Sequence, residues 1–327
     1  MFTAGRLFLS YPTFLHLMPL SEELRSRLET TVANAVWAER NQSERQGTLT
    51  PFHQELRDAS EELKKLSRGV NVDYDLPRMG EAYALWYHMR RVSQMYEALE
   101  KFPQVATPLE KGWADPWRVL DVGAGTGAGA MGLSAWTSQA FPPGFVQRIT
   151  VDCLEPSRHM ISAGENIMAQ MHQSGLPIAQ TRWLQGGIGA AADYATDGYH
   201  LILCSTTFDY LEERDWDGKI GEIMDFFNER LRPGGCVVFL APNRGFDEGQ
   251  QGPKVRFVEE LISAAGLKSY NWSDVASYKG VQTEVLEMRT RLTRDAIQAG
   301  AGFGLGNGVP DYSTDTFSYG CYQPRAR

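Results

Sequence analysis

The run Arg118-Val-Leu-Asp-Val-Gly-Ala-Gly-Thr-Gly127 decides how the rest of this 327-residue chain is read. A short apolar stretch reaches an acid, Asp121, and then opens into Gly123, Gly125 and Gly127, with Ala124 between the first two. Glycine suits a tight strand-to-helix turn, because it accepts positive φ and lets backbone amides approach a ligand with no Cβ in the way. The spacing predicts a strand, a ligand-facing loop and a helix.

Working outward, further apolar runs follow at Ile149–Leu154, Thr181–Leu184, His200–Cys204 and Cys236–Leu240, separated by helix-length segments. That alternation needs crossover connections and predicts an α/β fold: a Rossmann-like, doubly wound, mostly parallel sheet. Upstream, Ser21 is placed to cap a helix carrying Leu24, Leu28, Val32 and Val36 at helical spacing. Two more helical runs are expected, about His53 to Leu66 and Gly80 to Phe102. The chain therefore divides into a helical N-terminal region, 1–112, expected to cap the substrate, and a ligand-binding domain, 113–327. Within the latter, Lys254–Ala265 reads as a helix, Gly300–Gly308 as a loop and Thr316–Tyr322 as a last strand in a C-terminal extension.

Composition narrows the partners. With 43% hydrophobic and 22% charged residues the chain is an ordinary globular protein. Phe8–Leu20 is broken by Pro12, His16 and Pro19, too short to span a bilayer and without a signal cleavage pattern, so a buried arm, no membrane contact and a cytoplasmic setting are expected. Cys153, Cys204, Cys236 and Cys321 show no metal-ligand spacing, which predicts inert buried thiols and no metal. A net charge of −8 disfavours a general nucleic-acid binder, whose affinity comes from lysines and arginines displacing phosphate counterions. Arg289, Arg291 and Arg294 could form part of a local basic face, and a solvated helix face is the ordinary meaning of such a run.

The loop's third glycine follows after one residue, unlike the G-x-G-x-x-G of dinucleotide sites, and an acid precedes it. A carboxylate there suits a ligand with cationic groups, such as S-adenosylmethionine, better than a pyrophosphate, which prefers a bare helix N-terminus. Glu155, before Pro156 at the end of the next strand, can accept ribose hydroxyls in hydrogen bonds worth roughly 1.5–3 kcal/mol each. In Trp183-Leu-Gln-Gly-Gly-Ile188, Gly187 and Ile188 offer backbone contacts and an apolar edge for an adenine. The fourth run ends in Ser205 and Thr206, also cofactor candidates, and Leu231-Arg-Pro-Gly-Gly235 makes a turn before the fifth.

As a set, over about Trp117 to Pro242, these motifs resemble the class I S-adenosylmethionine-dependent methyltransferase superfamily. Leu66-Ser-Arg68, Glu81-Ala-Tyr-Ala84 and the Leu120–Gly127 run also resemble methyltransferase-like proteins associated with the small ribosomal subunit. The broader resemblance implies methyl transfer to a nitrogen or oxygen of a small-molecule acceptor. The narrower one implies rRNA or ribosome as target, and a non-catalytic assembly factor that keeps the cofactor pocket is a third class. Methyl transfer asks mainly for alignment and sometimes a base. Asp209 and Tyr210, with Thr206 and Thr207, follow the strand whose carboxyl end would face the methyl group; Asp209 serves as base or as a helix cap. His88, beside Tyr87, is a further catalytic candidate, core packing being the alternative for both.

Overall fold

The computed structural model describes residues 20–68, 72–102, 105, 116–188, 198–205, 216–242, 273–274, 283–300 and 317–322. Thr206, Thr207, Asp209, Tyr210, the Lys254–Ala265 run and most of the Phe8–Leu20 and Gly300–Gly308 stretches lie outside them.

Helix α1 (Glu22–Arg45) begins where Ser21 accepts a hydrogen bond from the Leu24 amide, and buries Leu28, Val32 and Val36. Helix α2 (Leu49–Leu63) runs into a 3-10 turn, Lys64–Arg68. The third helical run is α3 (Met79–Tyr83), a π turn (Ala84–His88) and α4 (Met89–Lys101) in direct succession. There follow β1 (Trp117–Val122), α5 (Ala128–Ala140), β2 (Ile149–Glu155), α6 (Arg158–Gln173), β3 (Gln180–Gln185) and β4 (Tyr199–Ser205). The chain continues through α7 (Trp216–Arg230), β5 (Leu231–Pro242), β6 (Ser273–Asp274), α8 (Thr283–Gln298) and β7 (Phe317–Tyr322).

The seven strands lie in the order β3-β2-β1-β4-β5-β7-β6. The first five pair in parallel, and β7 pairs antiparallel with both β5 and β6. The sheet is thus Rossmann-like and mostly parallel, and its strand order reverses between β1 and β4, where ligands of such sheets lodge at the carboxyl ends. The Leu231-Arg-Pro-Gly-Gly235 turn proves to lie inside β5: the pairing jumps from Tyr199↔Leu231 to Leu201↔Cys236. Gly234 takes a φ of 82°, and a Cβ on Gly235 would come within 2.9 Å of the Tyr199 carbonyl oxygen, so the bulge requires its glycines.

Two apolar layers follow from the period of two along each strand. Leu120, Val122, Leu154, Ile202 and Val237 face α7 through Ile223 and Phe227. Val119, Val151, Cys153, Leu203 and Val238 join a larger core with α5, α6 and the N-terminal helices, so these helices share one interior with the sheet. Helix α8 returns to the same layer. Its Asp295 takes two hydrogen bonds of 2.7 Å from Arg40 on α1 and lies 2.9 Å from the buried His53 of α2. Arg291 lies 3.5 Å over the Trp37 ring and Arg289 4.1 Å over Trp86, so two of the three arginines of that run lie against indole faces. Cys153, Cys204 and Cys236 are buried free thiols. Among the described residues there is no helix long and apolar enough to cross a membrane, and no group of acids, histidines and cysteines that could hold a metal.

Candidate active site

The glycine loop leaves β1 at the strand-order reversal, with Gly123, Gly125 and Gly127 at φ 65°, 58° and 82°. Each is in the left-handed region that a side chain disfavours. The Ala124 amide donates to the Leu154 carbonyl at 3.0 Å and the Gly127 amide to Ala124 at 2.8 Å, which ties the loop to the end of β2.

Glu155 is the joint between loop and sheet. Its Oε2 accepts the Gly125 amide at 2.8 Å and its Oε1 the Ser157 amide at 3.0 Å. Its carbonyl accepts from Gly186 at 3.1 Å, bringing the turn after β3 alongside. Each carboxylate oxygen keeps a second acceptor site, enough for a diol. Burial pushes this acid up from its ordinary range, the two amides oppose that, and nearby Asp75 adds to the rise. Pro156 and Gly187 are exposed, and Ile188 is half-buried against the apolar layer that faces α7.

Asp121 lies under the loop. Its carboxylate sits against the Cα of Gly129 in the first turn of α5, where a Cβ would come within 2.4 Å of Oδ2. Burial raises its pKa to about 7, the Ala130 amide opposes the rise and the charge of Glu155 adds to it. Neither oxygen has a hydrogen-bond partner of good geometry among the described residues. A carboxylate in this place neutralises the positive end of α5, where a phosphate would otherwise be drawn. Register puts Asp121, Glu155 and Ser205 on one face of the sheet: Asp121 pairs with Cys153 and Leu203, and the other two lie two residues on. The buried Ser205 hydroxyl also lacks a partner among the described residues.

His88 is set beneath the glycine loop: it is fully buried, 2.7 Å from the Thr126 hydroxyl and 3.4 Å from the Met131 sulfur. Tyr87 is buried against Tyr83, in core packing.

Sequence reasoning missed the segment Val72–Arg78. The Ser157 hydroxyl donates to the Tyr74 carbonyl at 2.6 Å, so this connector forms a wall beside Glu155. Arg78 anchors it with φ 61°, reaching Glu81 at 2.8 Å and Glu39 at 3.1 Å. No periodicity or motif marks such a connector. Gly129 did carry a signal, since glycine in a helix's first turn is costly unless something needs its space.

No protein-family model matches the chain, and no curated protein is similar to it in sequence. Solved structures to which the chain is similar include the plantazolicin methyltransferase BamL, bound to a desmethyl plantazolicin analogue and SAH (12% identity, 82% of this chain and 97% of that one, TM-score 0.41). Another is a methyltransferase from Thiobacillus denitrificans with S-adenosyl-L-homocysteine (15% identity, 72% and 98%, TM-score 0.40). A third is the magnesium protoporphyrin IX methyltransferase of Synechocystis with SAH (9% identity, 73% and 88%, TM-score 0.41). Likeness at this level says nothing of the ligand or acceptor of this chain. On its own geometry the chain is a Rossmann-like α/β protein whose glycine loop, flanked by Asp121 and Glu155, stands where the strand order reverses.

Proposed function

We propose that this chain is an S-adenosylmethionine-dependent methyltransferase acting on a nitrogen or oxygen of a small molecule. The observation that carries this is the pair of buried carboxylates on either side of the left-handed glycine loop. Asp121 occupies the helix N-terminus that a dinucleotide's pyrophosphate would need, and its unsatisfied charge favours a cationic ligand. The residues present fit the cofactor: Gly123, Ala124, Gly125 and Gly127 give backbone approach, Glu155 accepts from the ribose, Asp121 supplies a negative field for the methionine end, and Gly187 and Ile188 edge the adenine. The bound cofactor brings a methyl group already activated by its sulfonium.

The protein's own work is to align an acceptor and receive its proton. Ser205 closes β4 on the same face as Asp121, and Thr206, Asp209 and Tyr210 continue from it, with Asp209 as the base. The N-terminal helices, in one core with the sheet, cap the acceptor side. A small acceptor fits the net charge of −8 and the arginines lying on Trp37 and Trp86 better than an RNA does.

The test is transfer of labelled methyl from S-adenosylmethionine across pools of small amines, phenols and carboxylic acids. Turnover by the protein and its loss in Asp209→Asn, with binding of S-adenosylhomocysteine retained, is the expected result. Binding without transfer to any pool would instead favour a cofactor-holding assembly factor.

A further inference from the structure

The third helical run is interrupted at one place, the single π turn Ala84–His88 between α3 and α4. A π turn inserts one extra residue and rotates the side chains beyond it out of the register of a continuous α-helix. Both flanking helices are fixed by close crossings. A Cβ on Gly80 would come within 2.4 Å of the His159 carbonyl oxygen of α6, and one on Gly132 of α5 within 2.8 Å of the Val92 carbonyl oxygen. The π turn lies between the two crossings, and His88 ends it.

At that point His88 meets the glycine loop from below. Its Nδ1 lies 2.7 Å from Thr126 Oγ1 and its Nε2 3.4 Å from Met131 Sδ. A thioether sulfur has no proton to donate, so the ring proton belongs on Nε2 and Nδ1 accepts from the Thr126 hydroxyl. Burial pushes the imidazole down to about 3, which keeps it neutral and fixed in that role. Thr126, fully buried, stands between Gly125, whose amide is held by Glu155, and Gly127, which opens α5.

We propose that His88 is a positioning residue for the cofactor loop: by accepting the Thr126 hydroxyl it sets the backbone of Gly125 and Gly127, and so joins the N-terminal helices to cofactor affinity. This rests on the methyltransferase reading of the loop. It assigns His88 no contact with the acceptor, since both ring nitrogens face partners beneath the loop.

Titration calorimetry with S-adenosylhomocysteine, paired with urea unfolding, tests it on the full chain. Thr126→Val removes the hydroxyl and keeps the shape, and the expected loss of affinity is about tenfold in protein that remains folded. Thr126→Ser restores the hydroxyl and is expected to bind within about threefold of the unaltered protein. His88→Asn, which offers an acceptor near the Nδ1 position, should exceed His88→Leu in affinity; if His88→Leu does not fold, the two Thr126 variants still decide. A merely structural role would lower the urea midpoint and leave affinity unchanged. Thr126→Val binding as tightly as the unaltered protein, or Thr126→Ser as weakly as Thr126→Val, would overturn the proposal. Failure of the unaltered protein to bind at all removes the methyltransferase reading before any variant is compared, and this proposal with it.

Discussion

At Asp121 the physics of one carboxyl links ligand and stability. Its folded pKa of about 7 lies above the ordinary 3.8, so the folded chain keeps a proton that the unfolded chain has lost. Stability from this group is complete below the unfolded value and falls away as pH rises through about 7. Urea unfolding without cofactor, followed from about pH 5 to 8, should therefore show a shallower decline in Asp121→Asn than in the unaltered protein. Glu29, raised to about 7 mainly by its burial near the start of α8, contributes with the same sign and the buried His88, lowered to about 3, with the opposite sign, so the test is the difference between the two slopes. An identical slope in both proteins would remove the buried charge from the account. A cationic ligand favours ionised Asp121, so S-adenosylmethionine should release a proton on binding near neutrality, seen as a buffer-dependent heat that Asp121→Asn abolishes. Asp121 and Glu155 were legible in the sequence because strand ends and a glycine spacing mark them. The contact of His88 with Thr126, 38 residues apart, was not, because nothing local to either residue records it.

At the scale of elements, the five parallel strands could be read from apolar runs bounded by turn residues, although β3, at the end of the strand order, buries only Leu184. The π turn could not, since helical periodicity assumes a constant 3.6 residues per turn. The bulge within β5 was expected as a turn before the strand, and Arg232-Pro-Gly-Gly235 does break the pairing as a turn would, but Leu231 already pairs with Tyr199. Close packing of α6 on β3 gives a direct check on the layers. A Cβ on Gly164 would meet the Trp183 ring at 2.2 Å, and the same indole lies 3.2 Å from a Cβ placed on Gly127. Gly164→Ala must displace this ring from under the loop, with an expected loss of about 1–3 kcal/mol in urea unfolding and weaker binding of S-adenosylhomocysteine. A variant as stable as the unaltered protein would show that α6 does not seat on Trp183 as described.

Over the whole molecule, the N-terminal helices, the sheet and α8 are held as one body by a shared apolar core and by Asp295. Burial alone would raise Asp295, but hydrogen bonds and charge from Arg40 and His53 outweigh it and hold the acid below its ordinary value. Its contribution is present above the unfolded pKa and is lost as pH falls through the lower folded value. Asp295→Ala removes two hydrogen bonds from Arg40, which keeps Glu44 and Asn41, and removes the partner of His53, and should cost about 1–3 kcal/mol, measured by urea unfolding at neutral pH. A cost near zero would mean that α8 is not clamped to α1. The sequence marked neither partner, because a pair between the two ends of the chain follows from tertiary packing alone. The central claim, a site for S-adenosylmethionine between Asp121 and Glu155, is tested most directly by isothermal titration of the full chain with S-adenosylhomocysteine and, in parallel, with NAD, including a check for cofactor already bound. The account predicts micromolar binding of S-adenosylhomocysteine, lost in Glu155→Ala, and no heat with NAD. No binding of S-adenosylhomocysteine with none already bound, or preferential binding of NAD, would contradict it.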